Sequence, residues 1–138
     1  MYNIDYEGYH IMSRNVIKTD KAPMPTSPYS QGHRAGDLIY TAGQVGIDPQ
    51  TGELSENFSD QLNQTLTNIK GILNAEGATM NDVVKTTVIL SDIKFFSELN
   101  EIYKTFFKEP YPARTIIGAS LPGRVMVEIE AVAYKPKE

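Results

Sequence analysis

Residues 125–134 constrain the fold of this chain most, because they have the pattern of a strand whose two faces differ. Alternate residues of a strand point to opposite sides of the sheet. One side is purely apolar, with Val125, Val127, Ile129, Ala131 and Ala133, and the other is mixed, with Met126, Glu128, Glu130, Val132 and Tyr134. Buried charges are costly unless they are paired or used. We therefore expect helices on the apolar side, and a cleft or an interface on the mixed side.

The remaining pattern predicts two amphipathic helices and five further strands. Apolar residues recur every three or four positions after Ser59 and again after Asp92, which we expect to be the N-caps. The first helix should bury Leu62, Leu66, Ile69, Ile72 and Leu73, with Gly77 as the C′ residue after its end, and the second should bury Phe95, Phe96, Leu99, Ile102, Tyr103 and Phe106. Strands are expected at residues 15–18, 83–90, 115–119 and 125–135, and in a hairpin at 32–46.

These elements follow one another in the order β-β-β-α-β-α-β-β. Two helices can cover only one face of such a sheet. The sequence therefore predicts an α+β domain, a mixed sheet of about six strands with two helices packed on one face. A chain of 138 residues fits one domain, which we place at residues 13–138. Residues 1–12 are Tyr-rich and aperiodic, and we interpret them as an N-terminal extension outside the fold.

Composition argues against several functions. The net charge is −4 and no cluster of Lys and Arg is present, which argues against nucleic-acid binding. The chain has no Cys, so disulfides, thiolate nucleophiles and Cys-based zinc sites are excluded. Its 2 His residues lack metal-ligand spacing, and no apolar run approaches the roughly 20 residues of a membrane span. We expect a cytoplasmic protein with no metal and no membrane partner.

Several short motifs then occur in a characteristic order. They are PYSQG at 28–32, YTAGQ at 40–44, DP at 48–49 with TG at 51–52, NIK at 68–70, VKTTV at 84–88, Tyr103 with FF at 106–107, PAR at 112–114 and VEIEA at 127–131. From residue 13 to residue 134, the chain resembles the RidA/YjgF family of reactive-intermediate deaminases. The PAR motif followed by the VEIEA strand is the most specific part of this resemblance.

The resemblance implies a chorismate-mutase-like fold and a homotrimer whose active sites lie in clefts between subunits. It implies hydrolysis of 2-enamine and 2-imine acids, such as 2-iminopropionate and 2-iminobutyrate, to 2-keto acids and ammonia. The expected partners are these small acids, and neither a metal nor an organic cofactor is expected.

The resemblance also implies residue roles. Arg114 is expected to bind the substrate carboxylate, which a guanidinium fork matches bidentately. Glu128 is expected to position and deprotonate the attacking water. The remaining contacts to substrate are expected from Tyr29, Thr41, Gly43, Asn100 and Ile116. Glu130 is interpreted as structural.

The pattern leaves alternatives open. Arg114 could instead form an ion pair with Glu128 or Glu130. Ala42 replaces a Ser that is frequent in the family, and the loop between Arg114 and Glu128 is shorter, which bears on substrate preference. A non-catalytic trimer that binds small carboxylates is one alternative function. An endoribonuclease or translation inhibitor is another, although the acidic charge and the lack of a His pair argue against it.

Overall fold

The computed structural model describes residues 14–137, together with the backbone of two short segments at 2–4 and 10–12. Its strands are β1 (Tyr2–Ile4), β2 (His10–Met12), β3 (Arg14–Ile17), β4 (Gly32–Ala35), β5 (Leu38–Thr41), β6 (Val83–Leu90), β7 (Ala113–Gly118) and β8 (Val127–Tyr134), and its α-helices are α1 (Phe58–Asn74) and α2 (Phe96–Phe106). β1 pairs with β2 in a separate two-stranded sheet. The assignment of residues 1–12 to an extension stays a prediction. No helix in the described part of the chain is long and apolar enough to span a bilayer.

The main sheet has six strands in the order β3-β4-β5-β8-β6-β7. All neighbouring pairs are antiparallel except β6 and β7, which are parallel and are joined through α2. This arrangement confirms the predicted α+β class and the predicted order of elements. β7 is an edge strand of this sheet, and β8 lies in its interior.

The helices cover one face of the sheet, as the strand pattern predicts. The stripe of α1 (Leu62, Leu66, Ile69, Ile72 and Leu73) is fully buried. It packs on the apolar side of β8, where Val127, Ile129, Ala131 and Ala133 are buried in the same core cluster. Residues between them, including Glu128 and Glu130, point to the opposite, open face. Removing this apolar area from water supplies most of the stability, at roughly 25 cal/mol per Å².

The start of α1 differs from the prediction. The N-cap is Asn57 rather than Ser59, and its side-chain oxygen accepts a hydrogen bond of 2.9 Å from the backbone N–H of Asp60. Phe58 then begins the helix, because its ring is buried and stacked on that of Phe95 with centroids 4.3 Å apart. Ser59 is therefore inside the first turn, where it caps nothing.

The end of α1 agrees with the prediction. Gly77 has a φ of 75°, a left-handed conformation that glycine adopts at no steric cost. Its N–H donates to the carbonyl of Asn74 at 3.1 Å, and the N–H of Ala78 donates to that of Leu73 at 3.0 Å. These two bonds form a Schellman motif, which satisfies carbonyls that the helix leaves without partners.

The start of α2 also differs. Asp92 caps a short 3-10 helix, Ile93–Phe95, by accepting a 2.9 Å bond from the N–H of Lys94, and α2 follows at Phe96. A 3-10 turn has about three residues, whereas the predicted apolar stripe of the second helix assumes 3.6 residues per turn. The first residues of that stripe therefore do not all face the core. Phe96 is consequently 43% exposed, while Leu99 and Tyr103 are buried.

Candidate active site

Arg114 lies on the helix-covered side of the sheet, at the edge. It is the second residue of β7, and its register partner on β6 is the buried Thr86. Its guanidinium carbon lies 4.8 Å from the centroid of the Tyr103 ring, which α2 supplies. A cleft of about 500 Å³ opens here, lined by Asn100, Tyr103, Lys104, Tyr111, Pro112 and Arg114. The half-buried guanidinium is thus part of a concave surface.

Tyr103 is firmly held beneath Arg114. Its hydroxyl shares a 2.8 Å hydrogen bond with that of Thr86, and its ring packs against Phe107 with centroids 4.5 Å apart. Burial raises the pKa of Tyr103, although the hydrogen bond with Thr86 and the charge of Arg114 oppose the increase. The ring is therefore a neutral phenol at physiological pH.

Within residues 14–137, Arg114 forms no ion pair with a carboxylate. The alternative in which Glu128 or Glu130 neutralises Arg114 is therefore not realised within the described part of one chain. Contact with an aromatic face uses none of the guanidinium N–H donors. The fork of Arg114 is available for a planar anion, and a carboxylate fits it bidentately.

Glu128 lies on the open face, in the interior strand β8. Its register partner on β6 is Ile89. Burial raises the pKa of Glu128 above its usual 4.5, and the charge of Glu130 raises it further. Both effects penalise the ionised form. A carboxylate in this position is a stronger proton acceptor than a free one.

Gly43 places backbone directly against the Glu128 side chain. A Cβ at Gly43 would lie 3.0 Å from Cδ of Glu128 and 3.0 Å from its Oε2, so a side chain here would displace the carboxylate. The loop is fixed by two backbone bonds between Gln44 and Ile129, of 2.8 Å and 3.0 Å. The Asn68 amide of α1 also donates to the carbonyls of Val45 and Ile47. The structure brings Gly43 and Glu128 together.

The structure does not bring Arg114 and Glu128 together within one chain. Arg114 contacts Tyr103 of α2 on the covered face, whereas Glu128 projects from the open face. Their rows in the sheet also differ, because Arg114 is level with Thr86 and Glu128 with Ile89. The predicted site residues therefore fall into two groups, which we call the arginine half (Asn100, Tyr103, Arg114) and the glutamate half (Gly43, Glu128).

Three other predicted residues occupy different surroundings. Tyr29 is 46% exposed, in a loop that the buried amide of Gln31 holds through bonds to Thr19, Ala22 and Pro23. Thr41 is buried on the covered side, and its hydroxyl accepts a 3.0 Å bond from the N–H of Ala131. Ile116 is half-buried on β7, two residues after Arg114 and on the same face. Their roles as substrate ligands stay predictions, and the oxygen of Thr41 already has a structural partner.

Sequence reasoning assigned Tyr103 to the helix stripe and gave it no part in the site. The available signal was the PAR motif shortly after a helix with a tyrosine in its apolar stripe. Only the structure shows that the Tyr103 ring and the Arg114 guanidinium meet. Lys104 and Tyr111 of the same cleft were also missed. Among the described residues, no group of three or more His, Asp and Glu side chains is arranged to hold a metal ion.

Comparison with known proteins decides the family. The profile of the family described as Endoribonuclease L-PSP matches residues 19–135. A RutC family protein of Pyrococcus abyssi is 47% identical over 126 residues, which are 90% of this chain and 99% of that protein. The chain is a member of the RidA/YjgF family. The resemblance inferred from the motifs is thereby confirmed.

Two further RidA relatives bear on function. The chloroplastic Reactive Intermediate Deaminase A of Arabidopsis thaliana is 43% identical over 124 residues, 88% of this chain and 66% of that protein. The crystal structure of Escherichia coli TdcF with bound serine has a TM-score of 0.84 and 39% identity, covering 88% of this chain and 98% of that one. Deamination of reactive intermediates is thus an activity named within the family to which the chain belongs.

Proposed function

We propose that this protein hydrolyses 2-imino acids, such as 2-iminopropanoate and 2-iminobutanoate, to 2-keto acids and ammonia. The observation that carries the proposal is the arginine half, where a guanidinium that has no carboxylate partner among residues 14–137 lies in a cleft on an aromatic ring. The TdcF structure with serine lends support, because serine carries a carboxylate next to a carbon bonded to nitrogen, as an imino acid does.

Arg114 would bind the substrate carboxylate with two N–H donors. A bidentate contact fixes both the position and the plane of the bound acid. It therefore also fixes where the adjacent imine carbon lies. Asn100, which lines the same cleft, can offer an amide to a polar group of the substrate.

Glu128 would accept a proton from water as that water attacks the imine carbon. The new C–O bond gives a carbinolamine as Glu128 passes this proton to the imine nitrogen. Glu128 then takes the hydroxyl proton of the carbinolamine while the keto group forms, and delivers it to the nitrogen as the C–N bond breaks and ammonia leaves. General base catalysis contributes about 10²–10⁴-fold, which suffices for a reaction that is already fast in water.

We also propose that the two halves of the site come from different subunits of a homotrimer. A cyclic assembly places the same two surfaces of neighbouring subunits against each other at every interface. The arginine half of one subunit could then face the glutamate half of the next. The open face of the sheet, which carries Glu128 and the exposed Tyr40 and Tyr134, is the surface available for such contacts.

The direct test supplies 2-iminopropanoate, generated in place by an amino-acid oxidase acting on alanine, and follows the release of keto acid or ammonia. We expect acceleration over the reaction without the protein, and loss of that acceleration in Arg114→Ala. Binding of 2-oxobutanoate by the folded protein without any acceleration would favour the alternative, a non-catalytic carboxylate-binding trimer. If the folded protein neither binds 2-oxobutanoate nor accelerates the reaction, both the proposed function and the alternative are refuted.

A further inference from the structure

The partner of Arg114 within the described residues is an aromatic face rather than a carboxylate. This arrangement has a chemical advantage. An ion pair would fix the guanidinium but would occupy its donors, whereas a ring holds the plane of the group and leaves the N–H edge free. Arg114 needs such support because it lies on an edge strand, where one side of the backbone lacks a neighbouring strand within the described part of the chain.

The ring itself is fixed from two directions. Tyr103 is only 4% exposed, and its hydroxyl bonds to Thr86, which is fully buried. Thr86 is also the register partner of Arg114, so the strand that carries the arginine and the ring beneath the arginine share one anchor. Phe107 supports the ring through the 4.5 Å aromatic contact.

We propose that Tyr103 is a positioning residue that presents the guanidinium of Arg114 to the substrate carboxylate, an inference that rests on the proposed function. Tyr103 acts through Arg114 and transfers no proton in the reaction. Its removal should leave Arg114 charged but free to sample other rotamers. The bound carboxylate would then lose orientation and affinity, while the chemistry at Glu128 would continue in those complexes that form.

The test compares Tyr103→Leu and Tyr103→Met with Tyr103→Phe, and uses Phe58→Leu as the matched control. Phe58 is a buried ring that stacks on Phe95 and lies outside the cleft. Both non-aromatic variants should raise KM for 2-iminopropanoate and Kd for 2-oxobutanoate roughly tenfold, with kcat within about twofold. Tyr103→Phe keeps the ring and should retain most of the affinity. Phe58→Leu should lower Tm without raising KM.

A spectroscopic measurement makes the outcome independent of activity. The side-chain Nε–Hε signal of Arg114, assigned by its loss in Arg114→Ala, should carry a ring-current shift in the wild type and in Tyr103→Phe. The shift should disappear in Tyr103→Leu and persist in Phe58→Leu. If either non-aromatic variant folds with unchanged KM and an unchanged Arg114 signal, the positioning role is wrong. It is also wrong if Phe58→Leu raises KM as much, or if Tyr103→Phe behaves like Tyr103→Leu.

The two proposals can fail separately. If the wild type accelerates no imine hydrolysis, the proposed function is wrong, but Kd for 2-oxobutanoate and the Arg114 signal still test the positioning role. If the wild type is active and the Tyr103 variants have unchanged KM, Kd and Arg114 signal, the proposed function is supported and the positioning role is wrong.

Discussion

The arginine half and the glutamate half of the site are built in opposite ways. Arg114 lies on an edge strand, faces the helices and is stacked on a ring, without a carboxylate partner among the described residues. Glu128 lies on an interior strand, faces away from the helices and is pressed against a glycine. The arginine half supplies a cation that can bind an anion, and the glutamate half supplies a carboxylate that can accept a proton. In the proposed trimer, a neighbouring subunit would bring the two halves together as one site.

The largest expected effect comes from removing the Arg114 side chain from the arginine half. Arg114→Ala should lower kcat/KM for 2-iminopropanoate about 10³-fold, because a charged hydrogen-bonded contact to the substrate is lost. Arg114→Lys should recover only part, since an ammonium lacks the planar fork. Steady-state kinetics measure both. Arg124→Ala, at an exposed loop arginine, is the control and should retain activity. A large fall in Tm with normal activity in Arg114→Ala would instead make Arg114 structural.

Substitution of the base in the glutamate half should lower kcat. Glu128→Gln keeps the size of the side chain but removes the base, and we expect kcat to fall about 10²-fold with a small change in KM. Glu130→Gln is the matched control, because Glu130 lies two residues further along the same face and is exposed. Equal losses in both variants would show that the charge of the strand matters rather than the base at Glu128.

Mixing the two inactive variants tests whether the halves belong to different subunits. Arg114→Ala and Glu128→Gln chains, refolded together in equal amounts, should recover about a quarter of the wild-type activity, since each mixed trimer regains one intact site. Each variant refolded alone should stay inactive. No recovery from trimers shown by mass spectrometry to be mixed would place both residues in a site within one subunit.

The smallest effect concerns the pH dependence of the glutamate half. Burial first, and then Glu130, raise the pKa of Glu128 above 4.5, so kcat/KM should fall when pH is lowered through that raised pKa. Glu130→Gln removes the repulsion but leaves the burial, and should move this acid limb partway to lower pH. A pH–rate profile measures the shift. Glu98→Gln, on the exposed side of α2, should leave the limb in place.

Much of the fold could be predicted because hydrophobic periodicity reports burial directly. The α1 stripe and the alternation of β8 both occur where the sequence places them. The caps were harder to predict. Asn57 and Ser59 are both good N-cap residues, and the choice depends on Phe58 packing against Phe95, a contact between distant parts of the chain.

The site could be predicted only in part, for a related reason. Arg114 and Glu128 stand out because charges are unusual in strands, and Gly43 came from the family motif. The contact between Tyr103 and Arg114 depends on the register of β6 against β7 and on where α2 packs, which no local pattern encodes. Buried amides were missed as well. Gln31, Gln61 and Asn68 have the appearance of surface residues, yet each holds a loop through its side chain.

The surroundings of Glu128 within one subunit predict that this proposed catalytic base lowers the thermal stability of the fold. The fold favours the protonated carboxyl more than the unfolded chain does, so this group contributes stability at low pH that is lost as pH rises through its raised pKa. Above that pH, the ionised Glu128 lowers the free energy of unfolding. Glu128→Gln should therefore melt at a higher temperature than the wild type at neutral pH. A screen that selected variants for survival on heating alone would tend to discard Glu128, the residue that we propose as the catalytic base.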